Sequence, residues 1–339
     1  MTLSATGLGS STQSLSSVYD LAMLDLDGVV YVGEDAVPGA AKALEVARAG
    51  GMRLAYITNN ASRTSTEVAD HLRELAMPEV SAADVVTSAQ AVAHLVADAV
   101  PTGSPVLLVG GEGLRSPLEE RGLRCVGSLD DGPVAVVQGF HPDVGWRQLA
   151  EASFAIQAGL PWFVSNTDMT IPTARGIAPG NGSLVQAIRN ATGVTPTVAG
   201  KPEKALFDET VERVGGERPL VVGDRLDTDI EGAVNAGTDS LAVLTGVSTL
   251  QEIVDAGPRS RPTYVSADLA GLNEAHLEIE YDTDRARCGD ATALVRDDVV
   301  SVEAGDPRST DALRAVIGLA WSLRDRSDVT VTVDGTLRT

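Results

Sequence analysis

Leu21-Ala22-Met23-Leu24, Leu54-Ala55-Tyr56-Ile57 and Pro219-Leu220-Val221-Val222 are short, unbroken apolar runs. Runs of this length, with no polar residue in alternation, predict strands buried on both faces of a parallel sheet. Between the first two, and again after the second, residues 38–51 and 65–76 carry apolar positions at helical spacing. Thr64-Ser65-Thr66 ahead of Glu67 reads as an N-terminal helix cap. The alternation β-α-β-α predicts an α/β protein with a doubly wound parallel sheet. Past Thr87-Ser88, the runs at 105–109, 134–137 and 162–164 alternate with helical patterns such as 146–157. They predict a second α/β unit of about a hundred residues, within the usual domain range. Near the end, 293–302, 310–323 and 329–333 predict strands, a helix and a strand.

Polar residues gather where these strands should end. Asp25-Leu26-Asp27-Gly28-Val29 follows the first run. On a strand Asp25 and Asp27 share one face, and in a doubly wound sheet the ligand crevice lies beyond the carboxyl ends of the strands. Two such carboxylates call for a cation, and Mg²⁺ suits an oxygen-only donor set. The same string also occurs in surface turns. Thr58-Asn59-Asn60 closes the second run with a hydroxyl and two amides that can hydrogen-bond phosphate oxygens, though a strand-end hydroxyl and two turn formers would read alike. Val198-Ala199-Gly200-Lys201-Pro202 places a positive charge on a turn, and Gly223-Asp224-Arg225-Leu226-Asp227-Thr228-Asp229 ends a later strand in acids. Asp227 is expected to be a helix N-cap ahead of Ile230 and Ala233 in preference to a metal ligand. His71, His94, His141 and His276 are scattered and read as structural or exposed. Gly110-Gly111-Glu112-Gly113 imitates a dinucleotide loop, but Ser116 stands where the third glycine belongs.

Acid pair, hydroxyl, lysine and acid cluster, in that order, resemble the four motifs of the haloacid dehalogenase (HAD) superfamily. Val37-Pro38-Gly39-Ala40-Ala41 and Ala178-Pro179-Gly180-Asn181-Gly182-Ser183 are similar to the NagD-like or p-nitrophenylphosphatase-like branch, in which a large C2-type cap is inserted between the second and third motifs. The resemblance covers roughly residues 18–275. It implies core segments at 18–86 and 197–275, a cap at 87–196, and an extension at 276–339 that partly resembles the GNAT-type acetyltransferase fold but lacks an Arg-x-x-Gly-x-Gly/Ala string. It also implies a Mg²⁺-dependent phosphomonoester hydrolase. Asp25 is then the nucleophile and Asp27 the general acid/base. Asp25, the Asp27 main-chain carbonyl and Asp224 would hold the metal, with Asp229 in support. Thr58, Asn59, Asn60 and Lys201 would meet the phosphate. A closing cap excludes water and favours small esters, with Asp168, Arg175 and Asn181 as candidate contacts to substrate hydroxyls. Glycerol 3-phosphate is the expected substrate; phosphoglycolate, p-nitrophenyl phosphate and nucleoside monophosphates are alternatives, and a silent metabolite sensor is the alternative of another class.

Composition narrows the field. The chain has 339 residues and a formal net charge of -21, which opposes nucleic acid or an anionic membrane as partner and leaves a small phosphorylated metabolite compatible. Its length predicts two or three domains, and a homo-oligomer stays open. Cys125 and Cys288 are the only cysteines, which suits a reduced cytoplasm. Residues 1–17 read as a flexible Ser/Thr/Gly tail without signal-peptide character, and no apolar run is long enough to span a bilayer. A calcium loop fails because Gly28 comes too early and Ala36 stands where a bidentate glutamate is needed. A phospho-acceptor domain or a dehalogenase would be expected to lack Asp27.

Overall fold

The structure, a computed structural model, describes residues 7–173, 175–327 and 329–335. By its internal contacts the chain divides into two compact units. The first takes in the residues up to Ala55, Arg73–Glu79 and everything from Gly215 onward; the second comprises Tyr56–Leu72 and Val80–Val214.

The first unit is organised by parallel strands. Tyr264–Ser266, Asp239–Val243, Pro219–Gly223 and Leu21–Asp25 lie side by side in that order. Arg53–Thr58, which starts in this unit and finishes in the second, comes next, followed by Val85–Thr87. Counted along the chain, these six strands have the order 3-2-1-4-5-6 of a doubly wound α/β fold. All five residues of Leu21–Asp25 are buried, as the continuous apolar run requires. Val222 lies opposite Leu24, so these neighbouring strands end level, at the point where the strand order reverses.

One expectation about the termini is corrected, for the described part of it, since residues 1–6 lie outside the described residues. Residues 7–17 are not a flexible tail: Ser11–Ser14 pairs antiparallel with Ala275–His276, Leu15 is fully buried, and the buried Arg314 guanidinium donates to the Gly9 carbonyl at 2.8 Å. The extension packs on the doubly wound part that precedes it. Glu280–Tyr281, Arg285–Cys288, Ala291–Arg296 and Val299–Ala304 form an antiparallel meander, and Thr332–Val333 adds in parallel to the last of them. The helix Thr310–Ser327 packs on this sheet and on the strand Tyr264–Ser266. Leu313, Val316, Ile317, Ala320 and Trp321 share one apolar cluster with Ile230, Leu244, Ile253, Val254 and Val265 of the doubly wound part. A sheet of short strands cannot bury enough apolar surface alone, and here it does so against the core it follows.

The second unit holds another parallel sheet, ordered Thr197–Val198, Trp162–Val164, Ala135–Gln138, Pro105–Val109 and Arg124–Val126. Helices Glu112–Glu120, Trp146–Gln157 and Asn181–Thr192 connect its strands. The expected cap at Thr64 is present as a reciprocal pair: Thr64 N–H donates to Glu67 Oε2 at 2.7 Å and Glu67 N–H to Thr64 Oγ1 at 3.2 Å. Gly110 and Gly111 connect the strand Pro105–Val109 to the helix Glu112–Glu120, in whose first turn Gly113 lies. The helix Ala205–Val214, following Lys201, packs against Ser88–Ala99. Between them sits Glu209, fully buried, which accepts from His94 Nδ1 at 2.5 Å, from Arg121 Nη2 at 2.9 Å and from Arg213 Nε.

Candidate active site

In the first unit the level strand ends bring acids together. Asp25, Asp224 and Asp229 each offer an oxygen within 4.8 Å of the others, and all three side chains are buried. Asp25 is the last residue of Leu21–Asp25, and Asp224 directly follows Pro219–Gly223. Asp224 is oriented by the turn beyond the next strand, where Val247 N–H donates to its Oδ2 at 2.6 Å. Asp229 joins the cluster from a π-helical turn Leu226–Ile230, with its Oδ2 accepting from Arg225 N–H at 3.1 Å. Asp27 is exposed and lies past the strand. The chain folds back there, with Gly28 N–H donating to the Tyr31 carbonyl at 2.8 Å.

Two glycines line this cluster. A Cβ on Gly28, whose φ is +85°, would lie 2.4 Å from Asp224 Oδ2, and one on Gly246 would lie 2.0 Å from the same atom. Any larger residue would displace the carboxylate. Three buried carboxylates at this spacing repel one another unless a cation offsets them, and an all-oxygen donor set fits a hard divalent ion such as Mg²⁺.

Asp227 is a correction. Arg225 occupies the N-cap position of the turn, and the exposed Asp227 carboxylate accepts from Arg225 Nε at 3.1 Å and Nη2 at 2.9 Å. The turn begins at Leu226, directly after Arg225, so Asp227 falls inside it instead of ahead of it.

The second unit gathers the other expected residues. Thr58 is buried at the end of its strand, its Oγ1 accepting from Asn60 N–H at 3.1 Å. Asn60 acts as a turn former, with its Oδ1 accepting from Ser62 N–H and Oγ at 2.8 and 2.7 Å. Lys201 is buried, and the peptide bond to Pro202 is cis. Asn59, expected to donate to phosphate, instead commits both amide hydrogens within the protein, to the Lys201 carbonyl and to Asp168 Oδ1, each at 3.1 Å. Asn181, expected at a substrate hydroxyl, is buried at 1% exposure between Gln138 and the Asn166 carbonyl. Asp168 is engaged by Asn59, while Arg175 is exposed at the turn of the hairpin Thr170–Thr173 and Gly176–Pro179.

Other reactive groups are accounted for structurally. His94, Glu209 and Glu212 are close enough to hold a metal, but Arg121 and Arg213 already supply positive charge to Glu209. Burial pushes the Cys125 and Cys288 thiols up to about 11, so neither is a ready nucleophile at neutral pH.

Fold and acid cluster define an α/β protein built to hold a hard cation at the carboxyl ends of its strands. The family model for haloacid dehalogenase-like hydrolases matches residues 22–124, and a second model for HAD-hydrolase-like proteins matches residues 198–272. A D-glycerol 3-phosphate phosphatase of Mycobacterium tuberculosis is 49% identical over 262 residues, 77% of this chain and 73% of the relative. An acid sugar phosphatase of Staphylococcus aureus is 37% identical over 267 residues, covering 77% of this chain and 98% of the relative. The crystal structure of a glycerol phosphate phosphatase from Mycobacterium tuberculosis in complex with magnesium matches with a TM-score of 0.83 at 42% identity, over 95% of this chain and 94% of the other. A 4-nitrophenylphosphatase from Thermotoga maritima matches with a TM-score of 0.70 at 29% identity, over 76% and 98%. The chain belongs to the haloacid dehalogenase-like hydrolases.

Proposed function

We propose that this protein is a Mg²⁺-dependent phosphatase that hydrolyses glycerol 3-phosphate to glycerol and phosphate. The observation that carries the chemistry is the buried trio Asp25, Asp224 and Asp229 at the point where strand order reverses. The substrate rests on the 49% identity to the mycobacterial D-glycerol 3-phosphate phosphatase.

Asp25 attacks phosphorus and forms an aspartyl-phosphate while the bond from phosphorus to the leaving oxygen breaks. Asp27 gives its proton to that departing alkoxide, then takes one from the water that opens the intermediate, returning Asp25 and releasing phosphate. Held by Asp25, the Asp27 main-chain carbonyl and Asp224, with Asp229 in support, Mg²⁺ would offset negative charge on the transferring phosphoryl group. Thr58 and Lys201 are assigned to the phosphoryl oxygens as hydroxyl donor and ammonium. Asn60 is not assigned there, because its side chain serves the turn and its main-chain N–H donates to Thr58. Residues 87–196 act as the cap that selects the leaving group.

We place this work in the cytoplasm, consistent with two unbridged cysteines, and on a small metabolite with no role for nucleic acid or membrane. Among the described residues, no helix is long and apolar enough to cross a membrane. Assembly into a homo-oligomer is compatible with this reading. The test is phosphate release from glycerol 3-phosphate, phosphoglycolate, p-nitrophenyl phosphate, nucleoside monophosphates and sugar phosphates, with and without Mg²⁺. The expected result is a Mg²⁺-dependent rate with the highest kcat/KM on glycerol 3-phosphate; a folded protein that releases phosphate from none of them would overturn the proposal.

A further inference from the structure

Lys201 is held by a carboxamide from far along the chain. Asn59 Oδ1 accepts from the Lys201 N–H at 2.8 Å and Asn59 Nδ2 donates to the Lys201 carbonyl at 3.1 Å, across 142 positions of sequence. A main-chain N–H can only donate, so the amide orientation is determined: its oxygen faces Lys201 N. The second Nδ2 hydrogen goes to Asp168 Oδ1 at 3.1 Å. Asp168 is itself anchored through its main chain. Its N–H donates to Asn166 Oδ1 at 3.2 Å, and its carbonyl accepts from Gly182 N–H at 2.8 Å, in the first turn of Asn181–Thr192. The Asn59 carbonyl is fixed as well, by Ser88 Oγ at 2.5 Å and Asn166 Nδ2 at 2.6 Å. Packing leaves this segment no slack: a Cβ on Gly180 would come within 2.4 Å of the Asp168 carbonyl oxygen.

We infer that Asp168 is a positioning residue for phosphoryl transfer: it holds the Asn59 carboxamide in the orientation that fixes the Lys201 peptide, without contacting substrate itself. An ionised acceptor makes this hydrogen bond stronger than a neutral one would. The inference rests on the proposed function, because it takes Lys201 as the group that meets the phosphoryl oxygens. It also separates two roles for Asp168, since a ligand to substrate hydroxyls matters only when the leaving group carries them, whereas a group acting through Lys201 matters for every phosphate ester.

The experiment compares Asp168→Ala and Asp168→Asn with the unmodified protein on glycerol 3-phosphate and on p-nitrophenyl phosphate, and follows hydrogen exchange of the Lys201 amide by NMR. Asp168→Ser, too short to reach Asn59, replaces the alanine variant if that one does not fold. In Asp168→Ala, kcat should fall about 10- to 100-fold on both esters, with KM changed much less. Asp168→Asn, which keeps an acceptor oxygen, should recover most of the rate. The Lys201 N–H should exchange roughly tenfold faster in Asp168→Ala, since its bond to Asn59 loosens. Unchanged rates with unchanged exchange would overturn the inference. So would a loss confined to glycerol 3-phosphate, which would make Asp168 a substrate ligand. If the unmodified protein hydrolyses no ester, the functional reading fails by itself, and unchanged Lys201 exchange in the variant would then reject the positioning role independently.

Discussion

The indole Nε1 of Trp321 donates to the main-chain carbonyl of Ile253 at 3.0 Å, joining the last long helix to the helix Leu250–Asp255 of the doubly wound part. The Arg261 guanidinium lies 4.7 Å from the centroid of the same ring and binds Asp325 through two contacts of 2.7 Å. Trp321 is 1% exposed. Replacing it with alanine removes a large buried side chain, so Trp321→Ala should lower stability by about 3–5 kcal/mol, read as a fall in Tm and in the urea midpoint. Truncation after residue 275 should yield insoluble protein, because Leu244, Ile253, Val254 and Val265 would lose the cover they share with this helix. A soluble truncated protein with the original Tm would mean that the extension is dispensable for folding.

Asp25→Asn should keep the fold and abolish turnover, since an amide cannot attack phosphorus. Phosphate release is expected to drop by at least about 1000-fold, the scale seen when a nucleophile is removed. Near-normal release by the variant would exclude Asp25 as nucleophile.

Gly246→Ala tests the acid cluster without touching an acid. Its Cβ would stand 2.0 Å from Asp224 Oδ2, so the carboxylate must turn away from its place. Mg²⁺ affinity, measured by titration calorimetry, should weaken roughly 10- to 100-fold, as when the support of a metal ligand is disturbed. Equal affinity in both proteins would show that Asp224 does not hold the ion.

His276 should make stability depend on pH. Its ring is fully buried, packed edge-on against Tyr264, with Nε2 2.9 Å from the Gly271 carbonyl oxygen. Burial pushes its pKa down from 6.5 to about 4; the nearby Arg314 charge acts in the same direction, and the Gly271 bond opposes both. Because the folded value is the lower one, the unfolded chain takes up a proton first as pH falls. The contribution of neutral His276 is therefore complete above about pH 6.5 and is lost between there and about pH 4, an amount on the order of 3 kcal/mol. His276→Gln should flatten that part of the unfolding free-energy profile. An identical slope in wild type and variant would assign the acid sensitivity to other groups.

Glu209→Ala should cost about 3–5 kcal/mol, because it leaves Arg121, Arg213 and His94 gathered around a buried site without their shared acceptor. Urea unfolding measures this directly. A change below about 1 kcal/mol would place the cluster among ion pairs of little net worth.

Much of this protein is legible along the chain. Continuous apolar runs predict Leu21–Asp25, Arg53–Thr58 and Pro219–Gly223, because a strand buried on both faces admits no polar alternation. The acids at their ends are legible for the same reason: a strand ends at the sheet margin, and Asp25 and Asp224 come next in order there. The cap formed by Thr64 and Glu67 is a local bond, and local bonds leave local patterns. Leu15, isolated in a run of serines, carries no period, and only its packing shows that residues 7–17 belong to the fold. The apolar face of Thr310–Ser327 predicts burial but not against what, since the hydrophobic effect has no direction. The amide of Asn59 has the chemistry for phosphate, yet its partners Lys201 and Asp168 lie 142 and 109 positions away and claim both of its hydrogens. By itself, then, the order of residues determined the strands, the acids that end them and the class of chemistry. The tertiary structure alone decided which polar groups meet, because hydrogen bonds between distant segments depend on where the chain returns and leave no spacing to read.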